Sequence, residues 1–307
     1  MQQLVTSLGA IDKPAAGLIL PHEHVFVDLR TPDHPDHGQA RTADVVEVMV
    51  PALQKARAAG VGAIVEASTL GVGRRADILS AVSRAAGMPL LLPTGVYREP
   101  WIPRWVHEAT EAALCDWMVK ELTEQIEESG LRAGWIKLSA GDDGLTACER
   151  KVLRAAARAA KETGAVAGSH TVRGRVVLDQ LAVIEECGLS TARFIWIHTQ
   201  AEPDRGLHRE VGNRGAWLEY DSIGSPGTDT MYAGLVGEAI DAGLGDRVLL
   251  SHDRGWYDPA QPGGGEQKPY TYLVETFVPA LMAAGVGKEQ IDRLTMANPF
   301  AAFSREP

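Results

Sequence analysis

Leu18-Ile19-Leu20-Pro21-His22-Glu23-His24 is the stretch on which the reading of the fold turns. Leu18–Leu20 has the composition of a buried strand, and it runs straight into two histidines with one residue between them. A doubly wound open sheet would place a glycine-rich phosphate loop after its first strand. Pro21-His22-Glu23-His24 stands there instead. An open nucleotide-binding sheet is therefore the weaker reading, and a closed barrel with a histidine-bearing mouth is the stronger one.

The same alternation continues downstream. Further short apolar runs predict strands at Ala63–Ala67, Leu90–Thr94, Trp135–Leu138, Ala165–Ser169, Phe194–Ile197, Trp217–Tyr220 and Val248–Ser251. Helical periodicity fills the intervals, most clearly in VVEVMVPALQKARAAG, ACERKVLRAAARAAKETG and GRVVLDQLAVIEECG. Strand–helix pairs without a break in composition predict an α/β (β/α)8 TIM barrel forming one domain over residues 1–307. Gly263-Gly264-Gly265 falls in a long connection after the eighth strand, where either a substrate-covering loop or a plain connector is expected.

In such a barrel, reacting groups gather at the carboxyl ends of the strands. Those ends read LPHEH, IKLS, GSH, WIH and SHD, which brings His22, His24, Lys137, His170, His198 and Asp253 to one face. On an extended segment His22 and His24 point the same way while Glu23 points away. A single H-x-H, or either of the other histidines alone, is more often a hydrogen-bonded structural group than a ligand. Their joint occurrence with Asp253 predicts a site for divalent metal: zinc first, with cobalt, manganese or iron as alternatives. Lys137 would be a buried ammonium in the middle of a strand, which is costly. Either it snorkels to the mouth or pairs with a carboxylate, or burial keeps its amine neutral. A neutral amine reacts with carbon dioxide to a carbamate, an anionic ligand able to bridge two metals.

Composition narrows the class. The chain has 307 residues, 45% of them hydrophobic and 23% charged, the balance of a globular protein with a sizeable core. A net charge of −10 without a Lys/Arg-rich block argues against nucleic acid. No apolar run is long enough for a membrane helix, and MQQLVTSLGAIDKP lacks the features of a secretory signal, so the expectation is a cytoplasmic protein with no membrane partner. The cysteines, Cys115, Cys148 and Cys187, are dispersed and read as reduced thiols, none beside a strand-end histidine. His34 and His37 read as solvated turn residues, His252 as a hydrogen-bonding residue between barrel and helices, and His107 and His208 carry no pattern.

Taken together, LPHEHVFVDLR, AIVEAST, VSRAAGMPLLLPTGVY, IEESGLRAGWIKLSA, LRAAARAAKETGAVAGSHT, FIWIHTQ, VLLSHD and ANPFAAF span nearly the whole chain. In them the sequence resembles the phosphotriesterase family of the amidohydrolase superfamily, which includes organophosphate hydrolases and phosphotriesterase-like lactonases. The resemblance implies a distorted barrel with two divalent metal ions: His22, His24 and Asp253 on the buried one, His170 and His198 on the more exposed one. Lys137 would be an N6-carboxylysine bridging them together with a hydroxide. That hydroxide would attack a lactone, a carboxylic ester or an organophosphate ester, with Asp253 as proton acceptor. A lactone or carboxylic ester is the favoured small-molecule substrate, an aryldialkylphosphatase-type activity the alternative, and a homodimer is implied.

By the same resemblance Tyr97 would orient the substrate; otherwise it is a rim aromatic. Trp101 and Trp105 would wall the pocket or pack their loop down. Ser222 departs from the family pattern, standing where the organophosphate hydrolases carry a relay histidine and many lactonases an arginine. Glu202 and Asp204 are the acidic candidates to replace that relay. Specificity is expected in the loops Arg98–His107, Ser222–Thr230 and Arg254–Tyr270. Two other classes remain open at this point: a metal-containing binding protein with little turnover, and a mononuclear deaminase or amidase with unmodified Lys137.

Overall fold

The computed structural model describes residues 1–306, with Pro14 and Ala15 described by backbone alone. All eight expected strands form: Leu18–Phe26, Val61–Glu66, Leu90–Leu91 with Pro93–Thr94, Trp135–Ser139, Ala167–His170, Phe194–Ile197, Trp217–Tyr220 and Val248–Leu250. Each pairs in parallel with the next in chain order. The ladder returns to its start through Gly255–Tyr257, which pairs in parallel with His24–Phe26, and through Asp253 N, which donates to His22 O at 3.1 Å. The result is a (β/α)8 barrel, distorted where the third strand breaks at Leu92 and where the eighth hands over to Gly255–Tyr257. Gly255 permits that handover: its φ is +97°, and a Cβ there would strike the carbonyl of His24 and the hydroxyl of Tyr270.

The first strand differs from its expected extent in a way that places the site. It continues past Leu20 to Phe26 and carries one extra residue against its neighbour, since Leu20 pairs with Ile64 but Glu23 with Glu66. Ile19 packs inside the barrel and Leu20 outside it. Regular alternation would then turn Glu23 inward. The bulge shifts the phase by one residue and turns His22 and His24 inward instead.

Two apolar layers hold the barrel. Inside it, Ile19, Ala63, Val65, Leu91, Trp135, Val166, Ile195, Ile197, Trp217 and Leu249 pack with Leu4, Phe300 and Phe303, which close the end where the strands begin. Gly168 leaves room in this layer, because a Cβ there would lie 2.9 Å from the Trp135 ring. The outward residues meet the helices, including Thr42–Ala58, Ala147–Thr163 and Gly174–Glu186, which match the three clearest helical patterns within a few residues. Helix Ala147–Thr163 starts on a capping box: Glu149 N donates to Thr146 Oγ1 at 3.1 Å and Thr146 N to Glu149 Oε2 at 2.9 Å. With the strands' amino ends plugged, the open mouth lies at their carboxyl ends.

Candidate metal centre

His22, His24, Lys137, His170, His198 and Asp253 all line one cavity of about 260 Å³ at that mouth. Three of the imidazoles are fixed from behind through Nδ1. His22 Nδ1 bonds Glu219 Oε1 at 2.7 Å, His24 Nδ1 bonds Ser68 Oγ at 2.7 Å, and His198 Nδ1 bonds Asp221 Oδ1 at 2.6 Å. A carboxylate behind an imidazole accepts a hydrogen bond from Nδ1–H, so the proton stays on Nδ1 and Nε2 presents its lone pair forward. His170 is turned the other way: its Nδ1 lies 2.7 Å from His198 Nε2 and 3.2 Å from the Tyr97 hydroxyl.

Asp253 faces the same centre. Its Oδ1 is 3.1 Å from His24 Nε2 and 3.8 Å from His22 Nε2, yet it is buried and makes no hydrogen bond. One donor atom from each of His22, His24 and Asp253 lies within 4.8 Å of the others. The backbones of His198 and Asp253 have φ of +66° and +56°, a region that non-glycine residues seldom occupy outside functional sites.

The electrostatics call for a cation. Burial, and after it the neighbouring Lys137 and histidines, lower the His22 imidazole well below its ordinary value; burial and the His198 charge do the same to His170. Burial and the Asp221 carboxylate push Glu219 well above the usual range. Burial opposes ionisation of Asp253 too, but the close approach of His24, then the charges of His198 and Lys137, outweigh it and lower the group to about 2. A buried carboxylate oxygen with no hydrogen-bond partner, faced by imidazole nitrogens, is a setting that a divalent cation relieves. The orphaned Asp253 oxygen, the forward-facing nitrogens and the mixed N/O donors all fit such an ion.

Lys137 neither snorkels nor pairs. It is 2% exposed, its polar contact is His22 Nε2 at 3.5 Å, and among the described residues no carboxylate reaches ion-pair distance of Nζ. Burial lowers its pKa against the raising pull of Glu219 and Asp253. An amine so placed is disposed to be neutral and nucleophilic.

Tyr97 lies in the pocket with its hydroxyl toward His170, and burial raises that hydroxyl to about 12. Trp101 joins the wall, stacks edge-on against Tyr97 at 5.6 Å and donates to Leu29 O at 2.8 Å. Trp105 does not line the pocket; it stacks on Trp117 at 5.3 Å and packs the loop down. Of the three rim loops, the first supplies Arg98 and Trp101 and the third Trp256, while Ser222–Thr230 is absent from the lining. Gly264 folds back onto Tyr257 and accepts from Asp258 N at 2.9 Å, as a connector does.

Glu202 and Asp204 are not part of the centre. Glu202 accepts from the backbone N–H groups of Gly174 and Asp204 at 2.9 and 3.0 Å, and Asp204 caps helix Arg205–Asn213 through Gly206 N at 2.7 Å. The carboxylates that do support the histidines are Glu219, which the sequence reading does not single out, and Asp221, which it places only as the seventh-strand aspartate before Ser222. Alternation from the inward Trp217 puts both on the inner face, which is the signal that would have found them. Ser222 Oγ lies 3.4 Å from Asp221 Oδ1. Glu23 faces away as expected and accepts from His252 Nδ1 at 2.6 Å, while His252 Nε2 accepts from Leu273 N at 2.7 Å, tying barrel to helices.

A histidine- and carboxylate-lined mouth on a (β/α)8 barrel defines a metal-dependent hydrolase. The chain belongs to the phosphotriesterase family, whose model matches residues 2–303. It is 30% identical to a phosphotriesterase homology protein of Mycobacterium tuberculosis (strain ATCC 25618 / H37Rv), over 100% of this chain and 99% of that one. It is 26% identical to an aryldialkylphosphatase of Saccharolobus solfataricus, over 96% of this chain and 97% of that one. The fold matches a solved structure from the molecular engineering of organophosphate hydrolysis activity from a weak promiscuous lactonase template, at 29% identity and TM-score 0.86, over 98% of this chain and 99% of the other. Among the described residues no helix is long and apolar enough to cross a membrane.

Proposed function

We propose that this protein hydrolyses a lactone or carboxylic ester at a two-metal centre. His22, His24 and Asp253 would hold one ion, His170 and His198 the other, and Lys137, carboxylated by carbon dioxide, would supply an oxygen to each. Zinc suits these donors best. Bound ions of this kind polarise the substrate oxygen and bring the ionisation of water near neutral pH.

The chain's own side chains do the rest. Asp253, facing the cavity from the mouth, would take the proton released as water adds to the acyl carbon. Tyr97, protonated over the working pH range, donates to the ester and fixes its orientation. Glu219, Ser68 and Asp221 keep three imidazoles aimed forward. Val27, Leu29, Val72, Trp101 and Trp256 give the pocket an apolar wall suited to an uncharged acyl or alkyl group.

The observation that carries this reading is the convergence of four imidazoles, an orphaned Asp253 oxygen and an unpaired buried Lys137 on that apolar-walled cavity. The deciding test is kcat/KM for a panel of lactones, aryl carboxylic esters and aryl dialkyl phosphates on zinc- and cobalt-loaded enzyme. Lactone or carboxylic ester turnover well above phosphotriester turnover is expected. The reverse order would make the protein a phosphotriesterase, and saturable binding with no turnover would make it a binding protein.

A further inference from the structure

Outside the catalytic pocket, a second group of donor side chains converges. Glu99 lies on the rim segment that follows the third strand, His107 on the short helix Arg104–Glu108 within that segment, and Cys148 in the first turn of helix Ala147–Thr163. One donor atom from each lies within 4.8 Å of the others, and Glu99 Oε1 stands 3.5 Å from His107 Nε2. The carboxylate and imidazole are 35% and 43% exposed, so as an ion pair they stabilise little. Such a pair also gives no reason for a thiol beside it. Carboxylate, imidazole and thiol together are donors for a borderline-soft divalent cation.

The scaffold is already set for one. Lys151, a turn along the helix from Cys148, donates from Nζ to the carbonyls of Val106, His107 and Ala109 at 2.8, 2.9 and 2.7 Å. Glu99 N donates to Glu149 Oε1 at 3.3 Å, which docks the other end of the loop on the same helix turn. With both ends docked, bringing the three donors around one ion costs little additional ordering. The loop matters to the reaction because Arg98 and Trp101, either side of Glu99 and Pro100, line the catalytic pocket.

We propose that Glu99, His107 and Cys148 form an auxiliary metal site, apart from the catalytic centre, that takes one Zn²⁺ or Co²⁺ ion and clamps the rim loop to helix Ala147–Thr163. On binding, a metal–sulfur bond replaces the S–H bond of Cys148, the thiol proton passes to solvent, and water completes a four-coordinate shell. None of these ligands lines the pocket, so the site stands or falls independently of the hydrolytic reading.

The test strips wild-type, Cys148→Ser and His107→Ala enzymes of metal, reloads each with excess Co²⁺, removes unbound ion and measures cobalt per chain. Near-ultraviolet absorption reports any thiolate-to-cobalt charge transfer. Wild type should hold one cobalt more than either variant and show a thiolate band that both variants lack. His107 is exposed, so its replacement leaves the fold intact even if Cys148→Ser does not. Equal cobalt content in all three proteins, or a wild type with no thiolate band, overturns the site. A thiolate band persisting in Cys148→Ser would place the metal on another cysteine and overturn it equally.

Discussion

Replacing Asp221 by Asn tests whether the carboxylates behind the histidines tune the centre. Asp221 is fully buried; its Oδ1 accepts from His198 Nδ1 at 2.6 Å and from Gln200 Nε2 at 2.6 Å, and its Oδ2 from His198 N at 3.0 Å. Asn keeps the shape but removes the charge and offers one acceptor oxygen where the carboxylate has two. If the amide NH₂ faces His198, the ring must adopt its other tautomer and Nε2 loses its forward lone pair. Partners of this kind are worth roughly 10–100-fold in metal affinity, or about 1.4–2.8 kcal/mol. The assay is competition of D221N and wild type against a graded chelator, with bound metal counted by elemental analysis. Thermal unfolding of the metal-free forms serves as the control for folding. The expected outcome is weaker retention of one ion, with the double variant little worse than His198→Ala alone. Unchanged retention in D221N, or fully additive losses in the double variant, would refute the idea that Asp221 acts through His198.

Other outcomes follow from the same geometry. Lys137→Ala and Asp253→Asn should each lower turnover by at least ~100-fold, through loss of the shared ligand and of the proton acceptor; near-normal rates in both would remove the mechanism. Tyr97→Phe should lower kcat/KM roughly 10-fold at unchanged metal content, a single lost hydrogen bond. With the Tyr97 hydroxyl raised to about 12, that loss should be constant from neutral to mildly alkaline pH, and a loss that varies across this range would contradict it. Trp135→Ala removes a fully buried ring packed edge-on against Phe303 at 5.4 Å and should cost about 3–5 kcal/mol in urea unfolding, with ester specificity unchanged.

Much of this molecule could be read from its residues. Strand runs such as Phe194–Ile197 and Trp217–Tyr220 matched residue for residue, because buried parallel strands are continuous apolar segments bounded by turn residues. The candidate ligands were legible because a barrel places strand ends on one face, so position in the repeat stood in for position in space. What sequence periodicity could not carry was phase. The extra residue between Leu20 and Glu23 inverts which side chains face inward, and only pairing with the second strand reveals it. The support that Glu219 gives His22 and Asp221 gives His198 depends on pairings between strands distant in the chain, which no local pattern carries. The roles of Trp105, Glu202 and the glycine-rich connection depended on tertiary contacts between segments distant in the chain. The cluster of Glu99, His107 and Cys148 was invisible for the same reason.

Activity titration of the metal-free enzyme addresses the central claim most directly. Chelator-stripped protein is supplied with zinc in steps, and hydrolysis of its best lactone or carboxylic ester is followed after each step. The account predicts no hydrolysis without metal and a return of activity that is complete only when both ions of the pocket are bound. Hydrolysis by the stripped protein, or full activity with a single ion in the pocket, would contradict it.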